Sequence, residues 1–343
     1  MAPARAATIE DVAREAGVSR AAVSKVIRNA YGVSAGMRER VNAAIDALDY
    51  RPRVAARAMR GASFTLGIEL PHIGNPFFTK IVAGATSALQ GTEYQLIIAP
   101  ADFDGEEGVR ALGALADRQV DGIVAISPLV SPGWLERLAT RVPVVMIGRH
   151  DDASAYDTVT GDDAEGTRLV MEHLFELGHR RIVHLTRSED VTQPGSGTPH
   201  AVRLEQYLAS MRDAGLSDVI RVVRTGMTEE SARLDTLALL DEERPTAIFV
   251  GNDELALGTL RAVGEQGLTP AEVSVVGYDD VDIASHPAIS LTTVDQSGEA
   301  MGERAIRLLL ERIAGRTEPT NFSVEPTLQV RGSTRPAPTG STH

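Results

Sequence analysis

Hydrophobic positions follow two different rhythms along the 343 residues of the chain. Over the first 61 residues they recur at helical spacing: Ile9, Val12, Ala13 and Ala16, then Val23, Val26 and Ile27, then Val41, Ala44, Ile45 and Leu48. Each set lines one face of an α-helix. Thr8, with Asp11 three residues later, predicts a capping box for a first helix that runs through Ala16 and stops at Gly17. Ser19 is placed to cap a second helix from Arg20 to about Arg28, and Ser34 a third from Ala35 to Asp49. The pattern predicts a helix, a glycine turn and a second helix, with the third closing a small core.

From Phe64 the rhythm changes to short, continuous apolar runs: "LGIEL", "QLIIAP", "GIVAIS" and "PVVMIG", then "RIVHLT", "VIRVV", "AIFVG" and "VSVVG". Runs of this length, rich in β-branched residues, read as buried parallel strands. Helix-length stretches separate them, among them Asp163 to Leu177 and Glu254 to Gln266. The predicted fold class is α/β: a small all-α helix-turn-helix head followed by two doubly wound lobes. The late strands "LTTVDQ" and "SVEPTLQV" are able to cross between the lobes.

Composition sets outer bounds. The chain is 43% hydrophobic and 24% charged, with no apolar run near the roughly 20 residues that a membrane helix needs. The first residues lack the apolar middle region of a secretory signal, so the cytoplasm is the expected location and no membrane partner is expected. The absence of cysteine excludes disulfides, thiolate metal sites and cysteine nucleophiles. The formal net charge is -13, but residues 1–61 hold 11 Lys and Arg against 6 acids, and the remainder 23 against 41. A basic head on an acidic body points to a polyanion partner for the head, a solvated basic surface being the plainer alternative.

On the second helix, Val23, Val26 and Ile27 take one face. Arg20, Ala21, Ser24, Lys25 and Arg28 fall on the other, a small basic surface of the kind the major groove of DNA admits. Here the stretch "TIEDVAREAGVSRAAVSKVIRN…VSAGMRERVNAAIDALDYRPRVAARAMRG" resembles the DNA-binding head of the LacI/GalR family of bacterial transcriptional regulators. It departs from the family pattern at Ala22, Lys25 and Arg28. The resemblance implies DNA contacts from Thr8, Ser19, Arg20, Ala21, Ser24, Lys25, Arg28, Asn29, Ser34 and Tyr50. It also implies a hinge over residues 52–61 that contributes Arg53 and Ala56, with Met59 wedged into the minor groove. An ordinary interdomain linker is the other reading of that segment.

In open α/β sheets ligands sit beyond the carboxyl ends of the strands. There the sequence gathers Arg149, Asn252, Asp253 and Asp279, with Phe77 and Phe78 at a helix start: acceptors, a forked donor and an aromatic face that suit a polyol. The body is also similar to the family's effector-binding core, itself related to periplasmic sugar-binding proteins. Carried over, the resemblance implies effector contacts from Phe77, Phe78, Arg149, Asp162, Arg203, Asn252, Asp253 and Asp279. The loop from Thr186 to His200 is longer and more polar than most. The expected domains are a head over 1–51, the hinge over 52–61, a core over 62–334 and a disordered tail over 335–343. The core divides into lobes of approximately 62–160 with 292–322 and 161–291 with 323–334.

Phosphate-loop, nucleophile-elbow and zinc-protease motifs are all missing from the sequence, so no enzyme, no metal site and no cofactor is expected. The tail has no leucine heptad, which favours a homodimer. The function expected is a repressor that binds double-stranded operator DNA and responds to a small, sugar-like effector. An activator or a co-repressor-dependent regulator is an alternative, a solute-binding protein a more distant one.

Overall fold

The structure, a computed structural model, describes residues 7–27, 30–50, 62–101 and 105–338. It divides into two units, Met1–Ser63 and Phe64–His343. The first is a three-helix head. Helix α1 (Ile9–Glu15) opens with the Thr8 capping box, Asp11 answering the Thr8 backbone amide at 2.9 Å. Gly17 takes the left-handed conformation (φ 65°) that lets the chain turn tightly into α2 (Arg20–Ile27). Ser34 caps α3 (Ala35–Ala47) through the Met37 amide. Val12, Ala13, Ala16, Val23, Val26, Val41 and Ala44 form the buried centre, with Ile9, Ile27, Ile45, Leu48 and Tyr50 packed around it.

The second unit consists of two lobes. The first lobe holds a six-stranded sheet with β1 (Thr65–Leu70), β2 (Gln95–Pro100), β3 (Gly122–Ile126), β4 (Val144–Ile147), β5 (Asp157–Gly161) and β11 (Asn321–Val324). Its order is β11-β5-β4-β3-β1-β2, and every pair is parallel. Helices α4 (Pro76–Ala88), α5 (Gly105–Asp117), α6 (Pro132–Ala139) and, from late in the chain, α11 (Gly298–Ile313) belong to this lobe. The second lobe pairs β6 (Ile182–Thr186), β7 (Arg221–Arg224), β8 (Ala247–Val250) and β9 (Ser274–Val276) in the parallel order β7-β6-β8-β9. Its helices are α7 (Asp163–Glu176), α8 (Pro199–Asp213), α9 (Glu229–Glu242) and α10 (Asp253–Glu265). The antiparallel pair β10 (Thr293–Asp295) and β12 (Thr327–Gln329) completes it.

The chain crosses between lobes three times: after β5, between β10 and α11, and between β11 and β12. The second crossing lies later than the boundary expected at 291/292, because Thr292 still bridges to Val276 and β10 still pairs with β12. Strand β5, "DTVTG", has no apolar run and escaped the sequence pattern. Its buried Asp157 is held by Arg312 (2.8 Å), Arg316 (2.5 Å) and the Thr320 amide (2.8 Å), so cations from α11 and the loop after it replace hydrophobicity there.

The expectation of a disordered tail from residue 335 is corrected for 335–338. The Arg335 amide donates to Ser274 and its carbonyl accepts from His179, while the Ala337 amide donates to the Leu177 carbonyl. These backbone bonds dock the segment on lobe 2 despite its proline-rich composition.

Candidate functional site

Two surfaces carry the chemistry. On the head, Ser19, Arg20, Ala21 and Lys25 are exposed along α2, and Ser19 accepts from the Ala22 amide at 3.1 Å. Arg20 pairs with Glu10 of α1 at 2.9 Å, both side chains largely in solvent, where such a pair is worth little and is easily exchanged. Thr8 and Ser34 are engaged as helix caps, and Tyr50 packs half-buried on the head core. Ser24 requires a correction. It is buried beside Val23 and Val26 instead of standing in the exposed row, because the packed face of α2 is wider than its valines alone imply. Arg28, Asn29, Arg53, Ala56 and Met59 lie outside the described residues.

In the core, a cavity of about 80 Å³ lies between the lobes. It sits at the reversal of strand order in both sheets, between β1 and β3 in one and between β6 and β8 in the other, where a doubly wound sheet leaves a crevice. Lobe 1 contributes Phe77, Phe78, Ile81, Ile126, Leu129, Ile147 and Met301. Lobe 2 contributes Arg187, Thr198, His200, Arg203, Asn252 and Asp279, with Gln296 in the crossing segment between β10 and α11.

Arg203 is fixed from two sides, its Nε donating to Asp163 (2.7 Å) and its Nη1 to the Gly251 carbonyl (2.6 Å). Its guanidinium lies 3.6 Å from the ring centre of Tyr278. Tyr278 fits there because position 166 is glycine: a Cβ would come within 2.1 Å of the tyrosine oxygen. Asp163 is shared, for His150 of lobe 1 reaches its other oxygen at 2.9 Å. Burial pushes the Asp163 carboxyl upward, but the charges of Arg203 and His150 outweigh it and hold the pKa below the ordinary value.

Asp279 is buried with a non-glycine φ of 121° and accepts from Gln296 at 2.6 Å. Burial pushes its pKa well up, against the pull of Arg203. Ser127 and Ser297, in or next to the cavity wall, also hold left-handed backbone, so strain collects at the cleft. Lys80 of α4 bridges the lobes through the Asp280 carbonyl (2.6 Å) and the Asp282 carboxylate (3.0 Å).

The chain matches the model for bacterial regulatory proteins of the lacI family over residues 8–53, and that for a periplasmic binding protein-like domain over 171–334. It is 33% identical to the ribose operon repressor of Escherichia coli (strain K12) over 338 residues, covering 95% of this chain and 99% of that protein. The chain belongs to the LacI family. As a LacI-family protein it is a DNA-binding transcriptional regulator with a ligand-binding core. Its fold is similar to the lac repressor dimer bound to operator and the anti-inducer ONPF, with a TM-score of 0.82, 29% identity and coverage of 96% of this chain and 100% of that one. It is similar also to a LacI-family regulator from Enterococcus faecium with bound ribose, with a TM-score of 0.70, 27% identity and coverage of 80% and 100%.

Of the effector residues expected for this LacI-family regulator, Phe77, Phe78, Arg203, Asn252 and Asp279 line the cavity. Three do not, and each is spent on structure. Arg149 is 4% exposed and turns back into lobe 1, donating to the Pro128 and Val130 carbonyls and pairing with Asp151 at 3.0 Å. Asp162 is exposed and caps α7 through the Glu165 amide, leaving its neighbour Asp163 to face inward. Asp253 accepts from Thr293 (2.6 Å) and the Val281 amide (2.9 Å), behind the wall, where burial raises its pKa to about 7.

Sequence reasoning missed Asn75, Arg187, Thr198, His200 and Gln296 in the wall. The signal for Arg187 and His200 was the polar loop from Thr186 to His200, which delivers both. His200 is desolvated there and its pKa is pushed well below the ordinary value.

Proposed function

We propose that this regulator is a cytoplasmic, homodimeric repressor whose affinity for a near-palindromic, double-stranded operator changes when a small, sugar-like metabolite occupies the cavity. The observation that carries the reading is the cavity itself. It is enclosed by both lobes, with an aromatic face on one side and hydrogen-bonding groups on the other, in a chain whose first unit exposes a basic helix. The names of the relatives agree with it: a ribose operon repressor, a lac repressor dimer on operator and a ribose-bound regulator.

In this reading Phe77 and Phe78 cover the apolar side of the ring, and Arg203, Asn252 and Asp279 meet its hydroxyls. Ser19, Arg20, Ala21 and Lys25 face DNA, Lys25 toward bases and the capped α2 terminus toward phosphate. The dimer uses lobe 1, where β2 is an edge strand that leaves Ile97 and Ile98 exposed beside α5. The chain performs no catalysis and uses no cofactor or metal ion. Ligand and operator favour different lobe arrangements, so each changes the affinity for the other by the same factor.

The test is to select the operator from a random duplex library and measure binding by fluorescence anisotropy, with and without sugars. Lys25→Ala is expected to weaken operator binding about tenfold or more while changing scrambled DNA much less. Equal losses on both DNAs would remove its base-reading role, and a wild type indifferent to every sugar would remove the effector.

A further inference from the structure

The lobe-1 side of the cavity is built from apolar side chains of four elements and a loop. Phe77 and Ile81 of α4, Ile126 at the end of β3, Ile147 at the end of β4, Leu129 in the loop after β3 and Met301 of α11 all line the space. Pro199, at the start of α8 in lobe 2, carries this wall over the cleft: a Cβ on Gly148 of lobe 1 would lie 3.7 Å from its Cγ. Among the described residues, lobe 1 brings two polar side chains to the lining, and both spend their oxygens on the backbone. Asn75 Oδ1 accepts from the Phe77 amide (2.9 Å), and Ser127 Oγ donates to the Ile147 carbonyl (3.2 Å).

Partners for hydroxyls lie on the other side. Arg203, Asn252 and Asp279 of lobe 2 and Gln296 of the crossing segment line the cavity together, with Gln296 donating to Asp279 at 2.6 Å and Arg203 fixed by Asp163 and the Gly251 carbonyl. The hydroxyls of a free sugar, however, radiate from the whole rim of its ring. When one part of the rim meets Asn252 and Asp279, the opposite part points toward the aliphatic side chains of lobe 1. A hydroxyl there gives up its bonds to water and gains none, whereas a hydrocarbon or flat aromatic group gains by leaving water.

Resting on the assignment of this cavity as the effector site, we propose that the effector is a sugar ring joined to an apolar group of similar size, as in a nucleoside or an aryl glycoside, and that lobe 1 holds that group. The sugar keeps its place on Phe77, with its hydroxyls on Asn252, Asp279 and Gln296. The joined group lies against the aliphatic side chains beside it, Leu129 among them. A free sugar satisfies lobe 2 and leaves its far hydroxyls unpaired, while a free base or phenol satisfies lobe 1 alone.

The experiment uses the full chain and matched sets of ligands: ribose beside adenosine and uridine, with adenine and uracil alone, then glucose and galactose beside their methyl and phenyl glycosides, with phenol alone. Binding is read by thermal shift and calorimetry. At least one nucleoside or phenyl glycoside is expected to bind about tenfold or more tightly than its free sugar, with a more negative heat-capacity change and little loss as salt rises. Methyl glycosides, which add little apolar surface, are expected to gain no more than about threefold. The nucleoside and phenyl arms tell a base from an aryl group. Leu129→Asn, at a half-buried loop position, is expected to cut the advantage by about threefold or more while operator binding persists.

Should Leu129→Asn fail to fold, the wild-type ratios and heat-capacity changes decide alone. Free sugars that bind as well as or better than all their substituted forms would overturn this inference and leave the effector site standing. So would a base or phenol that binds as tightly alone as when joined to its sugar, or an advantage that a folded Leu129→Asn leaves untouched. Absence of any response to every sugar, free or substituted, would instead overturn the effector site itself.

Discussion

The two lobes close on one cavity but solve opposite problems. Lobe 1 presents Phe77, Phe78, Ile81, Ile126 and Ile147, whereas lobe 2 presents Arg187, His200, Arg203, Asn252 and Asp279. Two buried acids, one from each lobe, are accommodated in different ways. Glu69 on β1 is fully buried and accepts one bond, from the Ile126 amide at 3.0 Å, while its other oxygen has no partner among the described residues. Burial raises its pKa to about 8. Asp163 in lobe 2 is equally buried yet held ionised by Arg203 and His150. Glu69 is tolerated by staying protonated and Asp163 by its cations, and both devices recur across the lobes: Asp157 of lobe 1 is held by Arg312 and Arg316, while burial raises the pKa of Asp253 in lobe 2. In the proposed reading the polar wall selects the ligand, and the apolar wall excludes water.

The largest test of that contrast is Asp163→Ala. It leaves Arg203 charged and buried without its partner, and a loss of about 3–5 kcal/mol is expected in denaturant unfolding. A loss below about 1 kcal/mol would mean that lobe 2 does not depend on the pair.

Glu69 gives the second test. Its folded pKa lies above its unfolded one, so its contribution to stability is complete below about pH 4.5 and is lost as pH rises toward about 8. At about 1.4 kcal/mol per pKa unit the total is roughly 5 kcal/mol. The stability difference between Glu69→Gln and the wild type should therefore climb in favour of the variant across that window and level off above it. A flat difference curve would show that the acid is ionised throughout.

The walls themselves come next. Asp279→Ala is expected to weaken ligand binding by about 2 kcal/mol, roughly thirtyfold, and to abolish the ligand-induced thermal shift. Phe78→Ala is expected to weaken it by about 1 kcal/mol, roughly fivefold. The reverse ranking would place recognition on lobe 1. The smallest effect belongs to Lys80→Met, which removes a half-exposed bridge between lobes and should change affinity by no more than about threefold.

Much of the fold is legible in the sequence. The head follows its caps and stripes closely because Thr8, Gly17, Ser19 and Ser34 act within four residues of themselves, where local chemistry decides. Most strands of the core are visible as apolar runs; β5 is not, its stability coming from Arg312 and Arg316 more than 150 residues away, and the stretch "SVEPTLQV", expected as one strand, divides between the end of β11 and β12 in different lobes.

The site was harder to read. Two polar residues often follow a strand, one capping the next helix and one facing the cleft, and which does which depends on the turn. Hence Asp162 caps α7 while Asp163 turns inward to Arg203 and His150, and Asn252 both caps α10 and lines the cavity beside a sequestered Asp253. Arg149 has the right position and the wrong direction, a matter of side-chain rotation that no spacing records.

The three crossings between lobes have a consequence for inheritance. Neither lobe is a continuous piece of the gene, so neither can be exchanged, duplicated or lost by a single recombination event without breaking the other. The head is one continuous stretch of the chain, and its joint with the sequence of the core falls after Ser63. New pairings of DNA address and chemical signal are therefore made by cutting once at that joint, whereas a new ligand preference inside the core must be reached one side chain at a time.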